Sequence, residues 1–247
     1  MVMCGHDDHG ASRHRAFFGR RKGHRLRSRQ LGLMATLLPQ LALRVNKPPP
    51  NRVGEVFLRR PEAVRLEIGF GGGENLVAEA TAHPEIGFIG CEPFVNGMAK
   101  ILASIEAGAL ENVKLYAGDA VDLLAWLPDA CLEEVDLLYP DPWPKRRHWK
   151  RRFVQDRAIG MVARVLRPGG LFRFATDVAD YAAWTLERFM RAPDFVWTAE
   201  RADHWQKPWA GFHGTRYEAK AKREGRTPCY LEFCRRAVNG ARKSPMD

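Results

Sequence analysis

From Val64 onward the chain alternates short apolar runs with stretches of helical period, a pattern that points to a parallel sheet flanked by helices. Runs at 64–68, 86–91, 113–117, 134–139 and 170–176 have strand length and are apolar enough to be covered on both faces. The stretches 74–82, 94–107, 119–127 and 150–166 between them predict helices. Arg167-Pro168-Gly169-Gly170 ends the last of these and turns the chain into the next strand. A helix over 178–190 and strands at 195–198 and 228–234 complete the series. The expected fold class is α/β, Rossmann-like: a mostly parallel central sheet with helices on both faces and a late antiparallel strand.

A chain of 247 residues holds one sizeable α/β domain with appendages, and not two. We expect a basic flexible arm over 1–30, a helix and Pro48-Pro49-Pro50 connector within 31–50, and one domain over 51–247. The arm carries eight Lys/Arg against Asp7 and Asp8, and the whole chain has a net charge of +10. Such a balance favours an anionic partner, and nucleic acid is the one the arm would help to hold. The longest apolar candidate, 31–43, is broken by Gly32, Pro39 and Gln40 and falls short of the ~18 residues of a membrane span. Five cysteines without a CxxC pair or zinc spacing fit a reduced, cytoplasmic protein, and Cys229 and Cys234 read as core residues. His6-Asp7-Asp8-His9 resembles a ligand set, but four consecutive polar residues in an arm make no site, and no metal is expected. Glu133 and Glu134 read as a solvated turn.

Glycines at 69, 71 and 73 follow the first strand directly, where the backbone must turn tightly and a ligand can approach without meeting a Cβ. Alone, they are weak evidence, because a tight strand-to-helix turn with no ligand also uses them. The carboxylates add information. Glu67 precedes the glycines and suits a positively charged ligand group. Glu92 ends the second strand, 25 residues later, where a ribose diol is commonly gripped by an acid. Asp119 follows the third strand and is placed to meet an adenine amino group. Three acids at one sheet edge suit a cationic nucleoside without a diphosphate, and S-adenosylmethionine fits that description better than NAD. Position 74 is Glu, so the third glycine of the dinucleotide fingerprint is missing.

The fourth strand runs into Tyr139-Pro140-Asp141-Pro142-Trp143-Pro144, a proline-locked loop holding one carboxylate and one indole. Six Lys/Arg follow within the eight residues 145–152. Ligands of open α/β sheets bind at that edge, so a flat ring and a polyanion are both served there. Lys145 and the run Arg147, His148, Trp149, Lys150, Arg151 and Arg152 read as RNA phosphate contacts; a solvated helix face is the bland alternative. Trp143 and Trp149 are open between stacking on a base and packing under the loop. Asp177 ends the fifth strand as a second substrate-facing carboxylate or as a helix N-cap. The polar stretch between the last two strands, about 30 residues long, is longer than an idle connection.

Together these motifs resemble the bacterial tRNA (guanine-N7)-methyltransferases, a class I family. The matching residues are Glu67-Ile-Gly-Phe-Gly-Gly-Gly, Gly90-Cys-Glu-Pro, Asp119-Ala, Asp141-Pro-Trp-Pro-Lys-Arg-Arg-His-Trp-Lys-Arg-Arg, Ala175-Thr-Asp177 and Thr215-Arg-Tyr-Glu218, in collinear order from about Phe18 to Phe233. The resemblance implies transfer of a methyl group from S-adenosylmethionine to guanine 46 in the variable loop of tRNA. It implies donor contacts at Glu67, Glu92, Asp119 and Asp141, and substrate contacts at Lys145, Asp177, Thr215, Arg216, Tyr217 and Glu218. Asp141 is then expected to orient the base and stabilise charge, without shuttling a proton. Two other readings compete: an adenine-N6 or other nitrogen methyltransferase, and a tRNA-binding scaffold without catalysis. The basic run fused to the loop disfavours the first, and the full set of acids disfavours the second.

Overall fold

The computed structural model describes residues 18–237. Its centre is a seven-stranded sheet of order β3-β2-β1-β4-β5-β7-β6. The strands are β1 Ala63–Ile68, β2 Ile86–Cys91, β3 Val113–Tyr116, β4 Leu132–Leu138, β5 Leu166–Thr176, β6 Phe195–Trp197 and β7 Cys229–Arg235. The first five pair in parallel, whereas β7 runs antiparallel to both β5 and β6. Strand order therefore reverses between β1 and β4, which opens a crevice at their carboxyl ends.

Helices cover both faces, as the apolar runs require. Leu33 of α1 (Ser28–Thr36), Leu76 of α3 (Glu74–Ala82) and Met98, Ile101 and Leu102 of α4 (Val95–Gly108) share one core. Leu123 of α5 (Ala120–Trp126), Ile159 and Val162 of α6 (Asp156–Val165) and Phe189 of α7 (Ala179–Arg191) share the other. All six residues of β2 are buried, the mark of a parallel strand covered on both sides. Phe189 stacks against both Phe172 of β5 and Phe233 of β7, with ring centroids 4.7 and 4.2 Å away. Burial of one such ring contributes about 1.5–3 kcal/mol.

Four expectations change. The helix foreseen over 150–166 is a 3-10 turn, Arg146–Arg151, followed by α6. Between them the Gln155 amide donates to the carbonyls of Trp149 and Arg152, ending the turn. The helix foreseen over 31–43 is divided into α1 and a single turn, α2 (Leu38–Leu41), because Pro39 has no N–H to continue the ladder. Arg167-Pro168-Gly169-Gly170 does not separate helix from strand: Leu166 already pairs with Leu132, and the tetrapeptide bulges out before Leu171 pairs with Glu134. Glu134 is no solvated turn residue; it is buried on β4 and paired with Arg173 at 2.6 Å.

The basic arm expected through residue 30 is tied down over its described part. Val95 N–H donates to the Arg21 carbonyl at 2.9 Å, and Gly23 and His24 both bond the Asn96 side chain. Residues 1–17, including His6-Asp7-Asp8-His9, lie outside the described residues. The excursion between β6 and β7 forms α8 (Asp203–Gln206) and α9 (Arg216–Arg223). Its Trp209 and Phe212 pack on Tyr230, and the start of α9 lies at the crevice.

Candidate active site

A cavity of about 340 Å³ lies at the carboxyl ends of β1, β2 and β4. Ile68 and Gly69, Cys91 and Glu92, Asp119, and Tyr139 through Asp141 line it, so four successive strand ends deliver residues to one place. Gly69 has φ +71, a conformation that favours glycine, and an added Cβ there would meet no protein atom within 4 Å. Gly71 also lines the cavity, while Gly73 (φ +77) serves as the N-cap of α3 under Ile101.

Glu92 is fixed by its neighbours. Its carboxylate accepts from Gly71 N–H at 2.8 Å and from Phe94 N–H at 2.9 Å, locking the glycine turn to the end of β2. Burial raises its pKa above the ordinary carboxylate range, against the pull of those two donors. Asp119 accepts from Val121 N–H at 3.0 Å and caps α5 while lining the cavity. Phe94 gives the cavity an apolar wall, and Arg216 and Tyr217 close it from above. A Cβ on Gly71 would come within 3.2 Å of the Arg216 guanidinium, so α9 sits directly on the glycine turn.

Asp141 belongs to an exposed loop, yet the cavity wall takes water from its carboxyl and raises its pKa. Tyr139 (φ +50) and Trp143 (φ +44) flank it in the left-handed region. For residues with a Cβ that conformation costs roughly 1–2 kcal/mol each, and strain of this kind collects at functional sites. Arg151 also lines the cavity, with its guanidinium 4.9 Å from the Trp143 ring and 5.8 Å from Phe18. A small apolar pocket with acids at strand ends, and cations at its rim, accommodates a cationic nucleoside below and an anionic polymer above.

The comparisons with known proteins agree with this chemistry. Residues 61–231 match the family model "Putative methyltransferase". A protein of Rhodopseudomonas palustris (strain BisB5) named tRNA (guanine-N(7)-)-methyltransferase is 63% identical over 223 residues, covering 90% of this chain and 87% of that protein. One of the same name from Bradyrhizobium diazoefficiens is 61% identical over 221 residues, covering 90% and 94%. The chain belongs to the tRNA (guanine-N7)-methyltransferase family. A 16S rRNA methyltransferase, KamB, superposes with a TM-score of 0.53 at 19% identity, covering 72% of this chain and 89% of that one; this is a likeness of fold alone.

Several residues foreseen for a site of this family lie elsewhere. Glu67 does not line the cavity. Ile68 does, and strand alternation turns Glu67 to the other side, where Asn75 donates to it at 3.0 Å. Burial pushes its pKa up to about 7 beside Asp136 of β4, its cross-strand neighbour. Arg152, expected among the RNA contacts, has a side chain that is 0% exposed and paired with Asp180. Trp149 faces inward as well, its ring 5.4 Å from Trp184. Lys145, Arg147 and Lys150 are exposed around the 3-10 turn, with His148 half-buried among them and edge-on to Trp143.

Asp177 pairs with Arg226 and does not cap α7, whose N-cap is Val178. Thr215 caps α9 by accepting from Glu218 N–H at 3.1 Å. The Glu218 carboxylate is buried, accepting from the Tyr230 hydroxyl and from Lys222. Sequence reasoning missed several residues of the cavity lining, among them the aromatic residues Phe18, Phe94, Tyr139 and Phe153. Tyr139 and Phe153 bracket the Pro-Asp-Pro-Trp loop and basic run, a position that marked them; nothing local marked Phe18.

Proposed function

We propose that this cavity binds S-adenosylmethionine and that the protein methylates N7 of guanine 46 in the variable loop of tRNA. The observation that supports it most is the convergence of Glu92, Asp119 and Asp141 on one cavity beneath a cationic rim that includes Arg151 and Arg216. Glu92 and Asp119 are the groups for the ribose diol and the adenine, and the Gly69–Gly71 turn passes close to the donor without side chains. S-adenosylmethionine supplies a methyl group on a sulfonium centre, an electrophile that brings its own leaving group.

Guanine N7 has a lone pair and no proton, so no residue has to act as a base at that atom. The protein's task is to hold N7 in line and to stabilise the positive charge that grows on the imidazole half of the base. Asp141 is the carboxylate for both tasks, oriented before the reaction by its strained loop. Tyr217 and Arg216 bound the same opening, and the exposed cations Lys145, Arg147 and Lys150, with Arg151, meet the phosphates. Asp177, Thr215 and Glu218 then serve the substrate by shaping the α7 and α9 walls.

Replacement of Asp141 by Asn keeps the shape and removes the charge. The methyl-transfer rate on unmodified tRNA is expected to fall about 100–1000-fold, the scale of a lost preorganised electrostatic contact. A wild-type rate that follows a group titrating near pH 6–7, and a variant lacking that limb, would make Asp141 a general base instead.

A further inference from the structure

The loop that carries Asp141 is poorly equipped to hold itself. Pro140, Pro142 and Pro144 have no N–H to donate, and Tyr139 and Trp143 sit in the left-handed region on either side of the acid. The start of the loop is anchored by Tyr139 N–H, which donates to the Ala175 carbonyl of β5 at 2.7 Å. Among the hydrogen bonds of the described residues, a single one reaches 140–144: Arg152 Nε donates to the Pro142 carbonyl at 2.9 Å.

Arg152 is held from every side. Its guanidinium lies 4.9 Å from the ring of Trp149, 4.8 Å from Tyr181 and 5.2 Å from Trp184, and it pairs with Asp180 in the first turn of α7. The other terminal nitrogen, Nη1, is buried without a hydrogen-bond partner. A buried guanidinium left partly unpaired is expensive to keep, and a planar, stacked fork spans a carbonyl and a carboxylate in a fixed geometry that a compact ammonium on a flexible stem holds less firmly.

We propose that Arg152 is a positioning residue, a strut between α7 and the Pro142 carbonyl that sets where the Asp141 carboxylate stands. This rests on the reading of Asp141 as the group that orients guanine. Without the strut, Trp143 is free to relax out of the left-handed region and to take Asp141 with it.

Steady-state kinetics with unmodified tRNA, and tRNA binding as a function of salt, test it on three variants. Arg152→Met is expected to lower kcat about 100-fold, the scale of an ångström-sized misplacement, with KM for tRNA within twofold of wild type. The slope of log affinity against log salt should not change, and Arg152→Lys should recover part of kcat. Asp180→Ala removes the strut's exposed anchor without touching the core, and should lower kcat several-fold with the same unchanged KM; it carries the test if Arg152→Met does not fold. Unchanged kcat in Asp180→Ala or in folded Arg152→Met overturns the proposal. So does a raised KM together with a salt slope reduced by about one, which is the signature of a phosphate contact. A wild-type protein that methylates no tRNA would remove the underlying reading, whereas an active wild type with indifferent variants removes only the strut.

Discussion

Glu67 and Ile68 are neighbours in sequence and face opposite sides of the sheet: one is walled in beside Asp136, the other lines the cavity. Asn75 and Asp136, polar neighbours of Glu67, each keep a buried Oδ1 without a hydrogen-bond partner. Burial favours the protonated form of Glu67, against the pull of the Asn75 amide that donates to it. With a folded pKa of about 7 against an ordinary 4.5, Glu67 binds its proton more tightly in the folded state. Its contribution to stability is therefore complete below about pH 4.5 and is lost as pH rises through 7. Glu67→Gln is neutral at every pH, so it should gain on the wild type between pH 5 and pH 8. The expected gain is up to about 3 kcal/mol, since each tenfold difference in proton affinity between the folded and unfolded chain is worth about 1.4 kcal/mol. Denaturant unfolding at the two pH values checks this; equal pH dependence of both proteins contradicts it. The carboxylates at the strand ends were legible in the sequence because each falls where an apolar run stops. The direction of Glu67 followed from strand alternation, but only once one member of the strand had been placed on the cavity.

Helices and loops were legible where period and punctuation agreed. β1, β2 and α3 stand close to where apolar spacing and the glycine turn put them. The run 145–152 misled for a physical reason: a charged run suggests one continuous exposed face, yet Arg152 turns inward onto three rings while Arg146 and Arg147 stay out. The left-handed residues Tyr139 and Trp143 carry no signal at all in residue type. A third left-handed residue, Ala109 (φ 48), ends α4, with Leu110 N–H reaching back to the Ile105 carbonyl in the manner of a Schellman cap. Glycine is the residue that fits this position. Ala109→Gly should stabilise the protein by about 0.5–1 kcal/mol, the left-handed penalty less the extra freedom of the unfolded chain. A lowered Tm in that variant would mean that the Ala109 methyl group contributes packing that outweighs its backbone strain.

At the scale of the molecule, charge and cavity meet on one edge of the sheet. The net charge of +10 is general, but Arg147, Lys150 and Arg151 concentrate it at the rim of the Asp141 loop. Arg151 sits between Trp143 and Phe18, so the N-terminal segment, the basic turn and the cavity mouth form one surface. Replacing Arg147 and Arg151 together by Ala should weaken tRNA binding and reduce its salt slope by about 1–2, close to one per lost phosphate contact. An unchanged slope in filter-binding titrations would place the RNA elsewhere. Membership of the family fits such a surface standing over the proposed methyl-donor pocket; the position of the target guanine joins the two. The most direct test is to incubate the protein with unmodified tRNA and isotopically labelled S-adenosylmethionine, then map the labelled nucleotide by mass spectrometry of nuclease fragments. Label as 7-methylguanosine at position 46 is the predicted result. Label on an adenine, or on a guanine outside the variable loop, would contradict it.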